Sequence, residues 1–163
     1  MGALSAIDTS VLVEYIDESG DFHIQANAVI ESVTNGGLTA IIAHPIFAEL
    51  YYVSYRAYEK TTNAYGRKND GSPEARAGDL IRWLYKSPNV SIPENTVELA
   101  IEAGKIKREF GLALPDSYVI ACAKLEQCEA VFKGREKEMK RRDKLGRLEK
   151  DHKIDLLFLE DFA

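Results

Sequence analysis

Four acidic positions are spaced so that their carboxylates could meet: Asp8, Glu49, Asp116 and one of the pair Glu136 and Glu138. Asp8 stands where the short apolar run SAI stops and a new apolar pattern, TSVLVEY, begins. Glu49 lies between Ile46 and Val53 with Leu50 beside it, on or at the edge of an apolar helical stripe. Asp116 follows Pro115 in LPDSYVIACAKLEQ; Val119, Ile120 and Ala123 at i+3, i+4 and i+7 place it on that helix's buried face. Glu136 and Glu138 come just after the apolar run AVF, in KGREKEM. Each acid also has a plainer explanation. Asp8 fits a helix N-cap, and Glu49 an exposed acid beside the stripe. Asp116 fits a charge favoured by the helix dipole in a first turn, and Glu136 and Glu138 a solvated charge run.

Carboxylates that converge without basic partners repel and raise one another's pKa unless a cation sits among them. All-oxygen ligation suits a hard ion, Mg²⁺ or Mn²⁺, over zinc or copper. Such an ion keeps positions for water and phosphate oxygens, so the chemistry open to this set is phosphodiester hydrolysis by metal-activated water. No nucleophilic side chain is then needed. The sequence holds no GxSxG elbow, no P-loop, no GxGxxG and no cysteine with a nearby histidine.

The elements that must position these acids are short and alternate in type. Unbroken apolar runs at 5–7, 39–43, 89–92, 130–132 and 154–159 read as strands covered on both faces. Helices are expected over about 9–17, 22–34, 45–62, 73–86, 95–110 and 115–127, with Pro45 and Pro115 in first turns and NGG at 35–37 as a stop. Strands separated by helices imply right-handed crossovers and a central parallel sheet of about five strands between two helical layers. In such sheets ligands bind at the carboxyl ends of the strands, where strand order reverses, and Asp8 occupies such an end. The polar segment 61–73 is the expected mobile loop.

A length of 163 residues at 45% hydrophobic content fits one domain spanning 1–163. With no run of about 18 apolar residues and no basic-then-apolar leader, a soluble, cytoplasmic protein with no membrane association is expected. Cys122 and Cys128 lack zinc-site or disulfide spacing and are expected to be reduced and packed. The net charge is -5, yet residues 133–153 carry ten Lys or Arg against five acids. Lys133, Arg135, Lys137, Lys140, Arg141 and Arg142 are therefore candidates to track a phosphate backbone, the alternative being a solvated helix of mixed charge. Single-strand binding also calls for aromatic stacking, which this segment lacks beyond Phe132. Tyr51, Tyr55 and Tyr58, with Tyr52, form a stripe that suits either half-buried packing or an interface.

AIDTSVLVEY, the helical Glu49, LPDSYVIACAKLEQCEAVFKGREKEM and the closing IDLLFLEDF resemble, in that order and across nearly the whole chain, the PIN-domain nucleases, especially the VapC-type toxins. The resemblance implies a PIN-like α/β fold and a Mg²⁺- or Mn²⁺-dependent endoribonuclease acting on single-stranded RNA, with Asp8, Glu49, Asp116 and Glu136 as metal ligands. It further implies a homodimer and a small antitoxin whose tail covers the acidic site. Two departures accompany it. Where family members often read Thr-Arg-Asp after the fourth strand, this chain reads Lys133, Gly134, Arg135 and Glu136, without the hydroxyl and with Glu for Asp. The basic stretch 140–153 is also longer than the usual link. Two rival readings are a PIN-like RNA-binding or scaffold module without catalysis, and a housekeeping nuclease of ribosomal-RNA maturation. A phosphoacceptor receiver domain fits less well, because Asp8 stands alone.

Overall fold

The computed structural model describes residues 2–65, 71–140 and 142–163. Five strands, β1 (Ala3–Ile7), β2 (Leu38–Ile41), β3 (Val90–Ser91), β4 (Glu129–Phe132) and β5 (Leu156–Phe158), form one sheet in the order β3-β2-β1-β4-β5. Every pairing is parallel, with Ala6 of β1 opposite Ile41 of β2 and Ala130 of β4. Consecutive residues of a strand point to opposite faces, yet Ala6 and Ile7 are both buried, as are Ala130, Val131 and Phe132. Both faces of the sheet centre are therefore covered, as the unbroken apolar runs require.

The helices are α1 (Thr9–Ile16), α2 (His23–Thr34), α3 (His44–Tyr65), α4 (Pro73–Lys86), α5 (Val97–Phe110), α6 (Leu114–Glu126) and α7 (Arg142–His152), followed by a 3₁₀ turn at Leu159–Phe162. Their ends carry the expected chemistry. Ser72 caps α4 ahead of Pro73, Thr96 caps α5, and Gly111 closes α5 in the left-handed conformation at φ 67°.

Two expectations are corrected. The loop placed at 61–73 starts later, because α3 continues to Tyr65; Thr61 bonds back to the Ala57 carbonyl and no breaker precedes Gly66. Residues 66–70 of that loop lie outside the described residues. The basic stretch after β4 is a crossover helix as well as a charge run: Leu145 and Leu148 of α7 are buried in the core, as is Met139 in the turn before it. Among the described residues, no helix is long and apolar enough to cross a membrane.

From β1 the chain steps outward to β2 and β3 on one side, and later to β4 and β5 on the other. The reversal of strand order falls between β1 and β4, so the crevice at their carboxyl ends is the switch point of the fold.

Candidate active site

Asp8 leaves β1 at that crevice and is only 5% exposed. Its two carboxylate oxygens have different surroundings. Oδ2 accepts the Ser10 N–H at 2.8 Å, the N-cap bond of α1, while Oδ1 is buried with no hydrogen-bond partner. Burial pushes the Asp8 carboxyl above its ordinary value, the Ser10 bonds oppose the shift, and Glu49 adds to it. The cap and the inward-facing acid are thus one residue, with one oxygen for each role.

Glu49 is half-buried on α3, and its Oε2 accepts a 2.6 Å hydrogen bond from the buried Thr9 hydroxyl. This bond turns Glu49 toward the residue next to Asp8. Asp116, in the first turn of α6, is 9% exposed. Its pKa is pushed up to about 7, first by burial and then by the charges of Asp8, Glu136, Glu49 and Glu138. The five candidate acids therefore share one electrostatic neighbourhood, although they come from positions spread over most of the sequence.

A hard divalent cation fits this donor set. It would supply the missing partner of Asp8 Oδ1 and would offset the burial and the repulsion that raise the Asp116 pKa. As placed, no three Asp, Glu, His or Cys side chains among the described residues stand close enough to hold an ion. Glu49 is engaged instead by the Thr9 hydroxyl.

Glu136 and Glu138 are both exposed, on the turn after β4. Lys133 pairs with Glu14 at 2.6 Å and lies over the Phe22 ring. Arg135 makes a two-pronged contact with Asp161, also bonds Glu160, and stacks on Phe158. Lys137 and Lys140 are exposed, and among the described residues neither has an ion-pair partner. Arg141 lies outside the described residues. Arg142 begins α7.

Sequence reasoning missed three residues that shape the site: Thr9, Ser10 and Glu14. Ser10 Oγ accepts the backbone N–H of Lys133 at 3.0 Å, so the residue that bonds Asp8 also holds the chain leaving β4. Glu14 is buried on α1, where Oε1 accepts the Phe22 N–H at 2.7 Å. The signal was present, because Glu14 falls three residues after Val11, on the apolar side of α1 just as Glu49 falls beside the stripe of α3.

A family model described as PIN domain matches residues 6–145. Among solved structures, VapBC2 from Rickettsia felis, bound to a promoter DNA fragment, aligns over 94% of this chain and 96% of its own at 15% identity and a TM-score of 0.58. VapC20 of Mycobacterium tuberculosis, a toxin that cleaves the sarcin-ricin loop, aligns over 78% of this chain and 87% of its own at 14% identity and a TM-score of 0.58. A toxin-antitoxin complex from Klebsiella pneumoniae aligns over 86% and 93% at 15% identity and a TM-score of 0.55. At these identities the likeness is one of fold. No curated protein sequence matches the chain.

Proposed function

The chain belongs to the PIN domain family, and from that premise we propose that it is a divalent-metal-dependent endoribonuclease of single-stranded RNA, the toxin of a toxin-antitoxin pair. One observation carries this reading: Asp8 Oδ1 is buried without a partner, and a second buried acid, Asp116, has its pKa pushed up to about 7 by burial and by the charges around it. A carboxylate oxygen left alone in that way is destabilising unless a ligand completes it. Asp8, Glu49 and Asp116 are the proposed ligands for Mg²⁺ or Mn²⁺, with Glu136 as the fourth acid and Glu138 beside it. Bound there, the ion supplies an activated water and neutralises charge growing on the phosphate. Ser10 and Thr9 orient Asp8 and Glu49. Lys137 and Lys140 are the proposed contacts to the RNA backbone, on the same turn as the fourth acid.

In this reading, residues 1–163 form one nuclease domain. Exposed Tyr51, Tyr52 and Tyr85 offer aromatic surface of the kind enriched at interfaces, which supports a homodimer or an antitoxin contact. The free thiols of Cys122 and Cys128 suit the cytoplasm. The rival scaffold reading draws on Lys133, whose ammonium is committed to Glu14 at the position where the family often has a hydroxyl.

The test is cleavage of labelled single-stranded RNA with Mg²⁺ or Mn²⁺ and with EDTA, comparing wild type, Asp8→Asn and Asp116→Asn. Metal-dependent cutting lost in both variants supports the reading. Metal binding by the wild type without cutting of any RNA tested would favour the scaffold.

A further inference from the structure

Away from the acids, three helices deliver aromatic rings to one cleft. Tyr15 of α1, Tyr58 of α3 and Trp83 of α4 line an opening of about 400 Å³ together with Ile16, Arg76 and Leu80. The Tyr15 and Trp83 rings lie within 17° of parallel, with centroids 6.3 Å apart. The Arg76 guanidinium sits 4.0 Å over the Tyr58 ring. Trp83, the chain's single tryptophan, is left 42% exposed. Asp79, bonded to Arg82 at 3.1 Å, places a carboxylate at the rim.

The position of the cleft relative to the acids is fixed by two helices at once. Tyr15 lies seven residues along α1 from Asp8, about 10 Å at the helical rise, and Tyr58 lies nine residues along α3 from Glu49, about 13 Å. Each helix carries or follows one of the acids and, further along, lines the same cleft. Splayed bases of a single strand are spaced at up to roughly twice the ~3.4 Å of a stacked strand, so this span is about two nucleotide steps.

We propose that this cleft receives a nucleobase of the RNA strand about two nucleotides from the bond that is cut, stacked on Trp83 and Tyr15 and bordered by Arg76. The proposal rests on the nuclease reading above and adds to it the stacking platform that the basic segment lacks. Flat aromatic faces and a guanidinium plane suit a base more than an aliphatic side chain, because every base has a π-face and an edge that seeks hydrogen bonds. The Asp79 carboxylate offers an acceptor to an exocyclic amino group. An aliphatic partner is better served elsewhere, by the apolar groove between α2 and the sheet lined by Val29, Leu38, Val131, Leu157, Leu159 and Phe162.

Trp83 makes the test direct. In EDTA, so that nothing is cut, a single-stranded RNA hexamer titrated into the wild-type protein should quench tryptophan fluorescence saturably. A hexamer of abasic sugar–phosphate should not. Arg76→Ala, at a half-exposed position that leaves the core intact, should weaken hexamer binding about five- to a hundredfold. Trp83→Ala should raise KM for RNA cleavage and leave kcat within about twofold. Wild-type cleavage with no quenching by RNA and an unchanged KM in Trp83→Ala overturns the proposal and leaves the nuclease reading intact. Quenching without cleavage by the wild type removes the nuclease reading, and with it the placement of the base relative to a cut bond, and leaves only a base-binding cleft. Equal quenching by the abasic strand, or quenching by a protein partner and never by RNA, also overturns it.

Discussion

Lys133 and Glu14 form an ion pair of 2.6 Å that joins the exit of β4 to α1, with the glutamate side chain 3% exposed and the lysine 40%. The pair sits at the far end of a chain of contacts that runs from the Lys133 backbone through Ser10 to Asp8. Glu14 also accepts the Phe22 N–H, and Gly20 passes so close that a Cβ there would fall 2.4 Å from Glu14 Oε1. A buried carboxylate with a donor on each oxygen and a side-chain-free residue against one of them is held in one place.

Removing the cation therefore leaves Glu14 buried with only the backbone donor. Lys133→Met should destabilise the fold by about 1–3 kcal/mol, less than a fully buried pair because the lysine is partly in water. Gly20→Ala should also destabilise, by displacing Glu14. Chemical denaturation checks both; two variants as stable as wild type would show that the pair is ornamental.

The pH dependence follows from Asp116. Its pKa is raised from 3.8 to about 7 in the folded protein, so the native state binds more protons than the unfolded state between those values. The stability this group contributes is complete below about pH 4 and is lost as pH rises through about 7. Without metal, wild-type Tm should fall as pH rises from 5 to 8, and Asp116→Asn should fall less. At pH 8 the variant gains about 2–4 °C for each kcal/mol of repulsion relieved. Mg²⁺ or Mn²⁺ should raise wild-type Tm more at pH 8 than at pH 5.5. Differential scanning fluorimetry in EDTA and in metal reads all of this, and parallel curves for wild type and variant would contradict it.

Thr9 is a positioning residue for Glu49 through their 2.6 Å bond. Thr9→Val keeps the volume and removes the donor. Such orienting partners are typically worth about 10- to 100-fold in metal affinity. Mn²⁺ binding by calorimetry should weaken by about tenfold in this variant while the metal-free Tm stays within a few degrees; unchanged affinity would remove Thr9 from the site.

Of the cations that could have met RNA, Arg135 is committed to Glu160 and Asp161, and that clasp holds its charge more tightly than usual. Among the described candidates, Lys137 and Lys140 are exposed. Each of Lys137→Gln and Lys140→Gln should lower the slope of log affinity against log salt by about 0.7 to 1. Arg135→Gln should leave that slope unchanged while speeding amide exchange at Glu160. The reverse pattern would assign Arg135 to the RNA.

Much of this fold was legible in the sequence because its strands are buried on both faces and read as plain apolar runs. Pro73, Pro115 and Gly111 mark helix ends through backbone geometry alone. The burial of Asp8 and Asp116 was legible, Asp8 from its place at the end of an apolar run and Asp116 from the apolar positions at i+3, i+4 and i+7. The commitments of Lys133 and Arg135 were not. A cation's partner is set by which strands lie side by side, and Glu14 and Glu160 are distant in sequence from both. The Tyr15–Trp83 cleft was hidden for the same reason, since one ring comes from α1 and the other from α4.

The adjacency of β1 and β4 sets the moment at which the protein becomes complete. Asp8 donates its backbone N–H to Val131, and Ser5 of β1 faces Glu129, 124 residues later. Contacts so distant form late and slowly, because a long loop must close before they add stability. A chain emerging from the ribosome carries Asp8, Glu49 and then Asp116, but the strand against which Asp8 is fixed is absent until residue 131 is free. During synthesis, therefore, Asp8 has no fixed place until the fourth strand has been made.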